Sequence, residues 1–239
     1  MTKKLLIGGG ILVVILLVAA VKFLGSNLDA IVKKAITRIG PEMTGVSVDV
    51  DKVGISLADG RGEIGGLVIG NPRGYEGPHA FKLGSIVLAL DKASDTANVV
   101  VIKELTIDGP DIVYDKGTDG SNVEAIQRNI DEYGKTHFEG KEKDQAEKGD
   151  AAAKRFIIES LQISNGKIRL TGRDRVMDLP PIQLRNVGKS QGGMTGSEIA
   201  GMVVKQMTQA TVASAARAFA QEGVKQAVDD AKSRRRPGR

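Results

Sequence analysis

His79 and His137 are the only imidazoles in a chain of 239 residues that contains no cysteine. Neither stands in H-E-x-x-H or a comparable metal-binding spacing. His79 follows Pro78 in a loop-like stretch, and His137 lies in a polar one where it is expected to be solvated. Carboxylates are more plentiful. Asp108, Asp111, Asp115 and Asp119 gather around two turns, and a calcium site is built from such oxygens when they converge on one ion. Gly109-Pro110 and Gly117 beside them favour turn formation instead. "VGKS", Val187 to Ser190, ends like a phosphate-binding loop, but Gln183 occupies the position of its first glycine. No serine stands in a G-x-S-x-G elbow. Without cysteine, a disulfide framework and thiolate metal ligation are both excluded. The expectation is a protein without catalytic residues, resident metal or cofactor.

Charge narrows the partners. Lys and Arg number 34 against 29 Asp and Glu, a diffuse net +5, and there are only three Tyr, five Phe and no Trp. That offers neither a basic stripe nor a stacking platform, so nucleic acid is not expected.

What remains is apolar patterning. Residues 5–24, LLIGGGILVVILLVAAVKFL, carry one charge, Lys22. Twenty helical residues span about 30 Å, the hydrocarbon thickness of a bilayer. Lys3 and Lys4 precede the stretch and favour an N-in orientation; Lys22, Lys33, Lys34 and Arg38 beyond it oppose that bias. A cleaved signal peptide ending at Val18-Ala19-Ala20 is the rival reading, and either one exports the remaining chain.

Residues 26–40 have helical periodicity. Leu28, Ile31, Val32, Ala35, Ile36 and Ile39 share a face, Ser26 or Asn27 can cap the start, and Gly40-Pro41 is expected to stop the helix. Its apolar stripe suits either a membrane surface or one end of a β domain. From Val46 the period becomes two, predicting short strands over 46–57, 64–69, 85–91 and 98–108, with 111–115 a hairpin partner after Gly109-Pro110. A short helix follows from Ser121. Residues 134–153 are the most polar and read as a flexible linker. Strands resume over 155–164, 167–171 and 182–187. Thr195-x-x-Glu198 is a capping box for a long helix whose stripe is expected at Val212, Ala216, Phe219, Ala220, Val224, Ala227, Val228 and Ala231. A basic tail ends the chain.

One motif recurs. Ile64-x-x-Leu67-x-Ile69, Ile102-x-x-Leu105-x-Ile107 and Ile158-x-x-Leu161-x-Ile163 each run into a turn pair containing Gly or Asn. The last two also match beyond the turn, Ile112 with Ile168 and Tyr114 with Leu170. Such self-similarity marks one unit used repeatedly. The first Ile of each copy has opposite parity to the Leu, so a bend or bulge is expected between them.

The expected fold is α+β: a curved antiparallel sheet, a groove-like meander, with an N-terminal transmembrane helix, an amphipathic helix and a long C-terminal helix. The segments are an anchor over 1–25, a β module with its helix over 26–133, the linker over 134–153, a second β segment over 154–190, and the helix and tail over 191–239.

Asn71-Pro72-x-Gly74-Tyr75, the strand start Phe81-Lys82-Leu83, Gly109-Pro110 after the middle repeat, and Gly120-Ser121-Asn122 before the helix are carried by a chain with an N-terminal apolar span. Together, over residues 5–130, these features resemble the N-terminal module of AsmA-like proteins. The resemblance implies a curved sheet whose apolar concave face holds lipid acyl chains, and an anchor in the inner membrane of a Gram-negative bacterium with the bulk of the chain in the periplasm. It departs from the large members of that family in length, since about eight strands make roughly 40 Å of sheet. Membrane and phospholipid are then the expected partners. The residues expected to line the groove are Val46, Val48, Leu67, Ile69, Leu88, Leu90, Leu105, Ile107, Leu161 and Ile163, where burial of acyl surface is worth roughly 25 cal/mol per Å². The same side chains can instead fill a core closed by the helices. The other functional reading is a non-catalytic envelope scaffold that binds a protein partner through its C-terminal helix.

Overall fold

Alternating apolar residues build a sheet, and three helices supply the stripes that cover it. The computed structural model describes residues 28–56, 58–91, 99–137 and 155–234. The expected membrane span, the cap of the first helix, most of the polar linker and the basic tail lie outside the described residues. No described helix is long and apolar enough to cross a membrane.

Helix α1 (Leu28–Thr44) leads into β1 (Val48–Ser56), β2 (Arg61–Ile69), β3 (Phe81–Leu90), β4 (Val99–Asp108) and β5 (Asp111–Tyr114). A two-stranded ribbon, β6 (Lys116–Gly117) with β7 (Gly120–Ser121), precedes α2 (Asn122–His137). Then come β8 (Arg155–Ser164), β9 (Lys167–Leu170), β10 (Val176–Asp178) and β11 (Ile182–Val187). A 3-10 turn (Lys189–Gln191) connects to α3 (Gly196–Arg234). The molecule is α+β, with a curled half-barrel sheet.

The sheet is mixed, not purely antiparallel as its short strands suggested. β1, β2, β3 and β4 form an antiparallel meander, but β4 pairs with β8 in parallel, as does β5 with β9. Parallel neighbours need a long crossover, usually helical. Helix α2 lies within that crossover. The two later repeat copies therefore lie side by side in register. Ile102 faces Ile158, Leu105 faces Leu161, Ile107 faces Ile163, Ile112 faces Ile168 and Tyr114 faces Leu170.

Gly109-Pro110 makes no hairpin, contrary to the sequence expectation. Phe81 faces Ile112 and Ser85 faces Asp108, so four steps along β3 match four steps back from β5 into β4. They are one long strand, creased. β8 and β9 are creased at Asn165-Gly166, and β10 and β11 at Leu179-Pro180-Pro181, again without loss of register. The breaks align. Gly109 donates its N–H to Ser164 O (3.0 Å), Lys167 to Pro110 O (2.7 Å) and Leu179 to Gly166 O (2.8 Å). A Cβ on Gly166 would lie 2.7 Å from Leu179 and 2.9 Å from Pro110. Glycine and proline at one level of three adjacent strands let the sheet fold over there.

The expected bulge is present in the middle copy. Ala89 faces Glu104 but Leu90 faces Ile102, leaving one extra residue at Lys103. That places Ile102, Leu105 and Ile107 on the same buried face. In the first copy Gly66, at φ 63, occupies the equivalent place between Ile64 and Leu67.

Helix α1 passes through Gly40-Pro41 and ends four residues later than expected. Gly45, at φ 72, takes the left-handed C-terminal position and donates its N–H to Pro41 O (3.0 Å). Gly40 has a different use: a Cβ there would fall 2.7–2.9 Å from the Val48 side chain. The capping box of α3 is formed. Thr195 N–H donates to Glu198 Oε2 (2.6 Å), and Glu198 N–H to Thr195 Oγ1 (3.3 Å). Of the stripe expected on α3, Val212 and Phe219 are partly buried against the core, but the buried line runs one position earlier. Ile199, Val203, Val204, Met207, Thr208, Thr211, Ala215 and Ala218 are buried, whereas Ala216, Ala220, Val224 and Ala227 are exposed. Two threonines on the packed face hide it from an apolar reading.

Candidate functional site

An apolar slot runs between α1 and the first half of α3, with β2, β3 and β4 as its floor. Its floor is Ile64, Leu67, Ile69, Leu83, Ile86 and Leu88, continued by Ile102, Leu105 and Ile107. Ala35, Ile36, Ile39 and Met43 form one wall. Ile199, Ala200, Val203, Val204 and Met207 form the other. The enclosed space is about 140 Å³. Ala35 and Ile39 are buried yet form a small cluster separate from the main core, because the slot lies between them and the sheet.

Local sequence explains each part. The i, i+3, i+4 stripe of α1 aims its apolar face at the sheet, and Lys33 Nζ fixes the helix by donating to Asp51 O of β1 (2.9 Å). The floor follows from strand parity. Ile36, Leu67 and Ile86 are partly exposed and mark the mouth; the other named lining side chains are buried. A smaller space of about 10 Å³ under Val53 and Ile55 shares Ile64, Ile86 and Leu88 with the slot. Among the described residues Thr44 is the one polar residue in the lining. Its hydroxyl donates to Gly40 O (2.8 Å).

Of the ten residues expected to line a groove, Val48, Leu67, Ile69, Leu88, Leu105 and Ile107 do line the slot. Leu161 and Ile163 are in the solid core at 1% and 0% exposure. Val46 is buried just before β1, and Leu90 is a partly buried residue at the end of β3. Sequence reasoning placed none of the slot's wall residues, although the stripe on α1 was visible. That stripe suits a membrane surface or one end of a β domain, and nothing in a stripe says which strands it will cover.

Two of the features that carry the family resemblance, the Asn71–Tyr75 loop and Gly120-Ser121-Asn122, come together at another place. Asn122 Nδ2, buried, donates to Asn71 Oδ1 (2.7 Å) and to Val113 O (2.7 Å), while Asn122 Oδ1 accepts from Asp115 N–H (3.0 Å). Asn71 Nδ2 donates to Glu76 O (2.8 Å) and Gly77 O (3.0 Å), holding the Asn71–Tyr75 loop closed. Tyr75 Oη reaches Gly120 O (3.4 Å), and Glu76 N–H donates to Asp115 Oδ2 (2.6 Å). This network joins two loops and the start of α2.

Three of the carboxylates singled out from the sequence, Asp108, Asp111 and Asp115, have structural partners. Asp108 Oδ1 accepts from Ser164 Oγ (3.1 Å) and Asn165 Nδ2 (2.6 Å) across the crease. Asp111 accepts from Arg169 Nε (2.8 Å), and that carboxylate holds the guanidinium pKa above its ordinary value. His79 Nε2 stands 3.6 Å from Asp111 Oδ2, too long for a hydrogen bond. Among the described residues no group of three His, Cys, Asp or Glu is placed to hold a metal ion. "VGKS" is the end of β11 and the following 3-10 turn. The slot itself offers one kind of chemistry, the removal of apolar surface from water.

No protein-family model matches the chain, and no curated protein matches its sequence.

Proposed function

We propose that this chain is a non-catalytic, AsmA-like lipid-handling protein, anchored in the inner membrane by residues 5–24 with its folded part in the periplasm. The observation that carries the reading is the slot, apolar on its floor and both walls and open at Ile36, Leu67 and Ile86. Sheet-centre leucine and isoleucine left partly exposed between two helices are an apolar site looking for a ligand. The span of one charge in twenty residues and the joined Asn71 and Asn122 loops add to it.

The physics is burial. At roughly 25 cal/mol per Å², covering about 100 Å² of acyl surface is worth ~2.5 kcal/mol. The test is lipid extraction and native mass spectrometry of the full chain, beside Leu67→Trp and Ile86→Trp, which fill the mouth. Stoichiometric phospholipid or fatty acid in the parent and its loss in both folded variants supports the reading. A folded parent free of lipid, taken from membranes without detergent exchange, removes it.

A second reading rests on α3. Its packed part ends where Arg173 and Arg175 pair with Glu222 (3.2 Å for Arg175) and Arg173 covers the Phe219 ring at 4.7 Å. Beyond this latch residues 223–227 are exposed, Val224 at 66%. A scaffold that binds an envelope protein would use this segment. Deleting residues 223–239 leaves the latch in place. Loss of a co-purifying protein with lipid retained favours the scaffold; unchanged partners and lipid remove it.

A further inference from the structure

Helix α2 closes one end of the slot. Asn129 Nδ2 donates to Thr44 O at the last residue of α1 (2.8 Å), and a Cβ on Gly201 of α3 would lie 3.2 Å from Ile130 Cγ2. Phe81, Ile112, Val123 and Ile126 are all 0% exposed in the core. At the same end Met43 and Met207 meet the slot's floor. At the other, the space continues toward Ile55.

Resting on the lipid-binding reading above, we infer that the slot is a blind site that holds the end of one acyl chain, tail first, and is not a conduit through which lipid passes. Three observations fix the ligand class. A conduit needs two openings, and α2 occupies one. A space of about 140 Å³ has room for about five groups the size of a water molecule, and a methylene is of similar bulk. That is the tip of one tail, not two tails. Last, among the described lining residues no polar side chain is free, since the Thr44 hydroxyl is committed to Gly40 O. A head group or ester drawn inside would be desolvated without a partner. It stays at the mouth, beside Ile36, Leu67 and Ile86, and the site does not select it.

The experiment uses the full chain in native membrane vesicles. Fatty acids carrying a photoreactive diazirine either at the terminal carbon or next to the carboxylate are added and irradiated, and labelled peptides are mapped by mass spectrometry. The terminal probe is expected on the peptides of Met43 and Met207, and the carboxyl-proximal probe on those of Ile36 and Ile86. Replacing the carboxylate by a hydroxyl is expected to change terminal-probe labelling by less than about threefold, because one hydrogen bond made inside is worth roughly tenfold. Equal labelling of the blind end by both probes, or a larger head-group effect, overturns the blind tail site while leaving lipid binding intact. Absence of label from every slot peptide overturns the lipid-binding reading itself.

Discussion

Asn122 donates its side-chain amide to Asn71 Oδ1 at 2.7 Å, joining two residues 51 positions apart at the end of the sheet where α2 begins. Asn122 is fully buried and also satisfies Val113 O and Asp115 N–H. Removing it orphans three polar groups at once. Asn122→Ala is expected to cost about 2–4 kcal/mol, read as a lowered urea midpoint with unchanged m. A loss below about 0.5 kcal/mol would mean that water replaces the side chain.

The crease predicts a contrast between two glycines. Gly166→Ala forces a Cβ against Leu179 and Pro110, whereas Gly54→Ala meets nothing within 4 Å in ordinary extended backbone. The first is expected to destabilise by about 1–3 kcal/mol and the second to change stability by less than about 1. Thermal melts of the two side by side decide it.

Filling the slot should separate stability from binding. A dry space of about 140 Å³ costs at most about 3 kcal/mol at ~24 cal/mol per Å³. Ala35→Leu, which adds bulk from the wall, is expected to raise stability by about 1 kcal/mol and to reduce bound lipid. Higher stability with full lipid occupancy would place the ligand elsewhere. The trade is the usual one between a stable core and an open site.

Burial, with Glu124 nearby as a second cause, raises the Tyr114 phenol above its ordinary value of 10.0. The neutral form is therefore favoured in the folded state. That contribution is fully present below pH ~10 and is lost as pH rises through the folded value. Melting temperature should hold from pH 7 to about 9 and fall above pH ~10, and Tyr114→Phe should soften the fall. An identical alkaline limb in the variant would assign the loss to other groups.

Much of this fold is legible because side-chain periodicity and backbone chemistry are local. The strand expected over 155–164 matches β8, the one expected near 182–187 falls on β11, and Thr195 and Glu198 announce α3. Even the partners Ile102 with Ile158 and Tyr114 with Leu170 were present as a repeat, and the structure places them opposite each other. What the repeat left open was direction. Similar strands pair equally well either way until the connection between them is known, and the crossover through α2 made these parallel.

The slot was legible only in part, for a reason of the same kind. Parity put Leu67, Leu105, Leu161 and their partners on one face, so sequence alone determined which side chains turn inward. Tertiary structure decided what each of them meets. Leu161 lies in solid core while Leu67 stands at an opening, because α1 and α3 cover the sheet to either side of β2 and β3 and α2 bridges them at one end. An inward-facing leucine is the same in sequence whether the next layer touches it or stops a few ångströms short. Only the packing of three helices on one creased sheet sets that distance.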